Sequence, residues 1–267
     1  MRTYICFPEG KYKALTFSYD DGKEQDKRLV EIFNRYGMKA TFNLNSGLIG
    51  KKPRLPMEDL AGLYHGHEIA SHSLTHPTLE RCPLPLVAQE ILEDRKGLEQ
   101  RFGCIVRGHA YPNGSYSQAI KDLLPSLGIA YARTVHSVPD FALPTDPMEW
   151  NPTCHHNDPM LGAYGQELLD FQKSQYLRLM YVWGHSYEFD RDDNWQVIED
   201  FCRQMSGRDD LWYATGIEII DYLSAARRLV FRADCSAVYN PSAIPVWIVT
   251  DKAREGKKVL PGETLEL

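Results

Sequence analysis

Ten residues at positions 67 to 76, HEIASHSLTH, combine three histidines with one carboxylate and hold no lysine or arginine. On a helix, His67 and His72 would lie about 140° apart and could not share one ligating face. His72 and His76 are four residues apart, would lie about 40° apart, and could bind one metal ion together. The segment therefore predicts a metal site whose third ligand comes from elsewhere.

The third ligand is predicted in the segment SYDDG, where Asp20 and Asp21 precede Gly22. Neighbouring residues of a strand point to opposite faces, so both carboxylates reach one site only where the backbone turns, which Gly22 favours. Two ionised carboxylates this close repel each other unless a cation neutralises them. Asp21, His72 and His76 would form an Asp-His-His set with a position open to water, as in catalytic zinc sites. Each motif alone is also compatible with a solvated turn or a surface pair.

Alternating strands and helices must position these residues. Short apolar segments predict strands at 12–19, 39–45, 67–71, 106–111, 130–135, 178–186 and 211–215. Amphipathic segments predict helices at 23–37, 56–66, 84–103, 115–128, 165–175, 194–205 and 217–228. This alternation predicts a parallel sheet covered by helices: a deformed (β/α) barrel of about seven strands, with a doubly wound open sheet as the alternative. Chemistry in a barrel belongs on the loops that follow the strands, where SYDDG, SHSLTH, HAYPNG and WGHSYE fall.

The last part of the chain breaks this alternation. Residues 229–267 contain β-branched runs and turn clusters without a helical pattern, which predicts a small β appendage. We therefore expect a barrel domain over 1–228 and an appendage over 229–267.

Composition excludes two classes of function. A formal net charge of -6 provides no basic field for nucleic acid. No apolar run reaches the roughly 20 residues that span a bilayer, and the N-terminal residues lack the apolar core of a signal peptide. We expect a cytoplasmic protein as the chain stands, or a secreted or periplasmic one if a signal peptide has been removed.

Three motifs together, TFSYDDG, GHEIASHSLTH and YVWGHS, resemble the polysaccharide deacetylase family. These proteins, carbohydrate esterase family four with the chitooligosaccharide deacetylase homology domain, include chitin and peptidoglycan N-deacetylases. The resemblance runs from about residue 13 to about residue 226. It implies a deformed β/α barrel and metal-dependent removal of an acetyl group from a saccharide, usually from nitrogen. It also implies that Asp20 is the general base, that the Asp-His-His set holds the metal, and that His185 is the general acid.

The chemistry of amide hydrolysis explains why a metal ion, a base and an acid are needed together. An acetamide is a poor electrophile, so an ion can polarise its carbonyl and activate the attacking water. Asp20 can take the proton of that water, and His185 can give a proton to the departing nitrogen. The cofactor predicted is one divalent transition metal, with zinc first and cobalt, nickel or manganese as alternatives.

The segment RGHAYPNG departs from the family pattern R-x-P-Y-G at one point. Ala110 occupies the arginine position, and that arginine would brace the general base. Arg107 or Arg133 could replace it from another direction, or either could be an ordinary surface charge. Without such a partner, Asp20 would have a different pKa and orientation.

Two further sets of residues are predicted around the site. Trp150 could form a wall for a sugar ring or lie in the core, and Trp183 could shape the acetyl pocket. His155 and His156 are expected at a solvated rim, with substrate contact as the alternative, and His67 is expected to make a structural hydrogen bond. The residues predicted to bind substrate are Tyr111, Pro112, Asn113, Trp150 and Trp183.

Three functions remain open from the sequence. The first is a metal-dependent deacetylase whose partner is an N-acetylated or O-acetylated saccharide. The second is a catalytically impaired sugar-binding protein of the same fold, which the missing arginine keeps open. The third is an amide hydrolase for a small non-sugar substrate, because relatives of this fold include enzymes that act on ureides.

Overall fold

The computed structural model describes residues 2–52, 54–56, 60, 62–251 and 253–267. Its strands are β1 (Thr3–Cys6), β2 (Lys13–Asp20), β3 (Ala40–Leu44), β4 (Glu68–Ser71), β5 (Gly108–Ala110), β6 (Tyr131–Arg133), β7 (Cys154–His155), β8 (Arg178–His185), β9 (Leu211–Tyr213), β10 (Val230–Phe231), β11 (Ala237–Tyr239), β12 (Val246–Thr250), β13 (Ala253–Val259) and β14 (Thr264–Glu266). Its helices are α1 (Asp26–Tyr36), α2 (Leu84–Phe102), α3 (Gln118–Leu123), α4 (Leu161–Asp170), α5 (Glu188–Arg191), α6 (Trp195–Met205) and α7 (Gly216–Arg227).

A curled parallel sheet forms the centre of the molecule. Its strands follow the order β6-β5-β4-β3-β2-β8-β7. β2 pairs with β3 along its second half and with β9 along its first half, which deforms the sheet. All the residues of β2 are buried, as expected for a parallel sheet covered on both faces. The predicted deformed barrel with about seven strands is confirmed, and each predicted strand is present.

One strand was missed in the long loop after β6. β7 has two residues and pairs with β8, with Cys154 opposite Val182. A few residues earlier, Trp150 forms a parallel bridge with Arg133 of β6. This loop therefore joins the two edges of the curled sheet, and its short pairings lack the apolar run from which a strand is predicted.

The helices differ from their predictions in detail. The helix predicted over 115–128 ends early: α3 is followed by a 3-10 turn at Leu124–Leu127, because Pro125 lacks the N–H that an α-helix requires. Within the helix predicted over 56–66, positions 57–59 and 61 lie outside the described residues, and 62–66 form turns. None of the helices among the described residues has both the length and the apolarity that a membrane crossing requires.

The last strands form two small sheets beside the barrel. One has the order β10-β11-β14, and the other, β1-β12-β13, includes the N-terminal strand. Tyr222 of α7 ties this second sheet to the barrel, because its hydroxyl donates to the Cys6 carbonyl oxygen and accepts the Trp247 N–H. The small β appendage is confirmed, and the division into two domains at residue 228 stays a prediction.

Candidate active site

Asp21, His72 and His76 lie close together where the parallel strands end. Asp21 directly follows β2, and His72 directly follows β4. One ligand atom from each of the three residues lies within 4.8 Å of the other two. Asp21 has a φ of 86° and His76 a φ of 63°, a left-handed conformation that is uncommon outside glycine and clusters at functional sites. The structure thus brings together the three residues that were predicted as metal ligands.

The hydrogen bonding of His72 suits a metal ligand. Its Nδ1 lies 2.7 Å from the carbonyl oxygen of Ala110. Since a carbonyl oxygen only accepts, Nδ1 carries the proton and Nε2 has a free lone pair. Burial lowers the pKa of His72 to about 4, so the imidazole is neutral near pH 7. A metal-binding histidine usually donates its second N–H in this way, so the donor set fits a divalent ion.

Asp21 also contacts two cationic side chains. Arg54 donates to its Oδ1 over 3.0 Å, and the Nζ of Lys23 lies 3.9 Å from its Oδ2. These positive charges reduce the repulsion between Asp21 and the neighbouring Asp20. The sequence interpretation missed Arg54 because no motif marks its segment, which lies 33 positions after Asp21.

Asp20, the last residue of β2, is held by a buried arginine. Arg133 donates through one Nη to both carboxylate oxygens of Asp20, at 2.6 Å from Oδ1. Asn43 donates to the same Oδ1 over 2.8 Å. Burial opposes the ionisation of Asp20, but the charge and hydrogen bond of Arg133, together with the charges of His72 and His185, outweigh it and hold the pKa of this carboxyl well below its usual range. Asp20 is therefore an ionised group near neutral pH.

The arginine that contacts Asp20 lies on β6, whereas the family pattern places an arginine at position 110 on β5. Ala110 ends β5 without a charged side chain, and Arg133 reaches Asp20 from β6. Of the two replacements considered from the sequence, Arg107 instead pairs with Asp221 through two hydrogen bonds of 2.8 Å. The geometry favours Arg133 as the replacement.

His185 ends β8 opposite Asp20 in the strand register. Its Nε2 lies 3.9 Å from Asp20 Oδ2, and its Nδ1 lies 3.2 Å from Glu188 Oε2. Burial lowers the pKa of His185, but the hydrogen bond to Glu188 and the charge of Asp20 outweigh it, so the pKa is raised overall. The sequence interpretation missed Glu188, although its place three residues after His185 in WGHSYE was a signal.

Comparison with known proteins shows which family the chain resembles. A family model described as polysaccharide deacetylase matches residues 7–132. The chain is 26% identical over 143 residues to a chitooligosaccharide deacetylase from Bradyrhizobium sp. (strain ANU 289), an alignment that covers 52% of this chain and 59% of that protein. Over this part of its length, the chain is similar to the polysaccharide deacetylase family. It spans less than two thirds of the length of the chitooligosaccharide deacetylases that it matches.

Solved structures share the fold of this chain. A provisionally assigned polysaccharide deacetylase from Mycobacterium smegmatis superposes with a TM-score of 0.60 at 18% identity, over 84% of this chain and 94% of that one. A pseudoenzyme of carbohydrate esterase family 4 from Bacillus anthracis superposes with a TM-score of 0.50 at 17% identity, over 81% of this chain and 68% of that one. At these identities, the likeness concerns the fold alone.

Two of the predicted substrate-binding residues have accessible side chains. Trp183 is partly exposed beside the site; its Nε1 donates to Ser137 over 3.1 Å, and its ring covers the Arg133 guanidinium at 4.7 Å. Asn113 is exposed, with a φ of 57°, and its side chain donates to Thr78 over 3.2 Å. Both residues remain candidates for contact with a substrate.

The other predicted substrate contacts need correction. Trp150 is only 2% exposed and packs against Tyr131 and Tyr181, so the interpretation as a sugar wall was wrong. It is buried because its backbone pairs with β6 inside the sheet. Tyr111 is also buried, and its hydroxyl donates a hydrogen bond to the Met148 carbonyl oxygen. The adjacent Pro112 is buried too, so neither of these side chains offers a surface to a substrate.

The remaining histidines lie in two settings. His67 accepts the N–H of Ala40 on its Nδ1 over 3.2 Å, a structural hydrogen bond as predicted. His155 is partly exposed near the site, in agreement with a rim position. His156 is fully buried and stacks on Phe189 at 4.1 Å, so the rim position predicted for it was wrong.

Proposed function

We propose that this chain is a metal-dependent hydrolase that removes an acetyl group, first of all an N-acetyl group, from a saccharide. One observation carries the proposal: Asp20 Oδ2 lies 3.9 Å from both His72 Nε2 and His185 Nε2. A carboxylate base, a neutral imidazole of the metal-binding set and a candidate acid thus face one small space. The named activity of the curated relative supports the choice of an acetylated saccharide as substrate.

The residues would divide the reaction among them. A divalent ion, zinc first, held by Asp21, His72 and His76 would supply Lewis acidity for the acyl carbonyl and for water. Asp20 is ionised, so its Oδ2 can accept a proton from the attacking water. His185, as an imidazolium, can donate the proton on Nε2 to the departing nitrogen while Nδ1 keeps its hydrogen bond to Glu188.

Acetate release from acetylated oligosaccharides tests this function with the variant Asp20→Asn. Because the amide cannot take a proton from water, we expect the rate to fall by about 10²- to 10⁴-fold. The metal content should stay at one equivalent, since Asp20 is not one of the proposed ligands, whereas Asp21→Ala should abolish it. Asp122→Asn, on an exposed part of α3, is the matched control. Undiminished release by Asp20→Asn would refute the proposed base.

A sugar-binding protein without turnover is the second candidate. It is favoured by Ala110, which departs from the family pattern, and the Arg133–Asp20 contact argues against it. A metal-loaded protein that binds acetylated oligosaccharides and releases no acetate from a broad panel would establish this candidate. Release of product only from small non-sugar amides would instead establish the amide hydrolase.

A further inference from the structure

A single oxygen of Glu188 collects hydrogen bonds from two histidines. Its Oε2 lies 3.0 Å from His155 Nε2 and 3.2 Å from His185 Nδ1, and it also accepts the backbone N–H of His185 over 3.1 Å. The Glu188 side chain is 11% exposed. Burial opposes its ionisation, but its bonds to the two histidines outweigh this and hold the pKa of Glu188 far below its usual range. Glu188 is therefore a carboxylate that accepts from both rings.

The proton positions of His155 follow from its neighbours. Its Nδ1 accepts the backbone N–H of Asn157 over 3.1 Å, so Nδ1 holds a lone pair and the proton is on Nε2. That nitrogen lies 3.0 Å from Glu188 Oε2. The backbone of His155 is fixed as well, because it pairs with Trp183 in the β7–β8 ladder. His155 thus contacts Glu188 from β7, a different element than the α5 turn that carries Glu188.

We propose that His155 and Glu188 are positioning residues for His185 and form a His155–Glu188–His185 triad. Glu188 fixes the His185 ring through Nδ1 and stabilises its imidazolium form, and His155 keeps the carboxylate in place. The proton on Nε2 of that imidazolium is the one that passes to the departing nitrogen, while the proton on Nδ1 stays. The role of the triad in proton donation rests on the proposed deacetylation, whereas the contacts among its three residues do not.

The same three residues could also hold a metal ion, since their ligand atoms lie within 4.8 Å of one another. An ion would need the lone pair of His155 Nε2. The Asn157 N–H places the proton on that nitrogen, so the lone pair is not available without breaking this bond. The hydrogen-bonded triad is the arrangement that the observed contacts favour.

The charged surroundings of His185 agree with an acid that is held protonated. The charged groups that face it include the carboxylates of Asp20, Asp21 and Glu188. The His155 and His156 rings lie behind Glu188, with Nε2 atoms 3.0 Å and 3.6 Å from its Oε2. Trp183 packs near its ring at 5.9 Å and Tyr187 at 5.2 Å. In Glu188→Gln the negative charge that supports the imidazolium is lost, so the basic limb of the pH profile should move to lower pH.

Steady-state kinetics of acetate release test the triad. We expect Glu188→Gln to lower kcat by about 10- to 100-fold with little change in KM, because the mostly buried Glu188 is proposed to act through His185. His155→Leu should lower kcat less, and His155→Gln should restore most of it, since glutamine still donates to Glu188. His136→Ala, an exposed histidine of the loop after β6, is the control. Unchanged kcat and an unchanged basic limb in both Glu188→Gln and His155→Leu would overturn the proposal.

Nitrogen-15 NMR of the imidazoles gives a readout that does not depend on activity. The wild type should show a slowly exchanging proton on His185 Nδ1, assigned with His185→Gln, and Glu188→Gln should lose it. A chain that shows this proton but releases no acetate would retain the triad and lose the proposed function. Titration with zinc that binds a second equivalent and removes this proton signal would overturn the triad in favour of a metal site.

Discussion

Asp20 and Arg133 form a buried ion pair, and the geometry of the arginine explains why this residue type is needed. Besides Asp20, its guanidinium donates to Ser18 over 3.1 Å and to the Thr134 carbonyl oxygen over 3.0 Å, and it lies under the Trp183 ring. A planar group with five N–H donors can make these contacts at once, whereas an ammonium cannot. Because both side chains are removed from water, the charge of each is compensated in the protein interior by the charge of the other.

Arg133→Met should therefore destabilise the protein by about 3–5 kcal/mol, because it leaves the Asp20 charge buried without its partner. The pKa of Asp20 should rise, so the acid limb of acetate release should move to higher pH. Urea unfolding and the pH profile measure the two effects. Arg107→Met is the control, since the side chains of Arg107 and Asp221 are 39% and 40% exposed and such a pair contributes about 1 kcal/mol or less. Equal costs for the two variants would contradict this account.

At the scale of elements, the strands were predictable and the pairing of their side chains was not. β2 and β8 are apolar runs that end at polar turns, so Asp20 and His185 were correctly placed at strand ends. The partner of Asp20 lies 113 positions away, and nothing in a single sequence shows which arginine points into a barrel. For Trp150 the sequence left a sugar wall and a core position open, and the side chain lies in the core because this loop enters the sheet.

Glu68, the first residue of β4, joins four elements. Its carboxyl accepts from Thr41 of β3 over 2.7 Å, from Tyr131 of β6 over 2.9 Å and from the Ile217 N–H of α7 over 2.8 Å. Burial raises the pKa of Glu68 from 4.5 to about 7. Its contribution to stability is therefore fully present below pH 4.5 and is lost as the pH rises through about 7.

Comparison of the wild type with Glu68→Gln isolates this contribution, because glutamine does not titrate. The free energy of unfolding of the wild type, relative to the variant, should fall by about 3 kcal/mol between pH 4.5 and pH 8. Urea unfolding of both proteins across this range measures it. A difference that stays constant with pH would show that Glu68 does not titrate in this window.

At the scale of the molecule, the barrel and the β1-β12-β13 sheet share an apolar cluster and are also joined by specific hydrogen bonds. Tyr222→Phe removes the hydroxyl that serves both Cys6 and Trp247. We expect a loss of about 1–3 kcal/mol in the free energy of unfolding, because a buried donor and a buried acceptor lose their partner. Tyr239→Phe is the control within the small sheets, since Tyr239 is 40% exposed and should change stability by about 0.5 kcal/mol or less. Similar effects of the two variants would count against this connection.

The pairing of β1 with β12 constrains the order in which the chain can fold during its synthesis. Thr3 lies opposite Thr250. The ribosome must therefore synthesise the chain through Thr250 before β1 can pair along its full length with β12. The barrel strands, whose contacts are closer in sequence, can assemble while synthesis continues. The N-terminal strand therefore pairs only after β12 has been made, and until that moment both of its edges are open to proteases and chaperones.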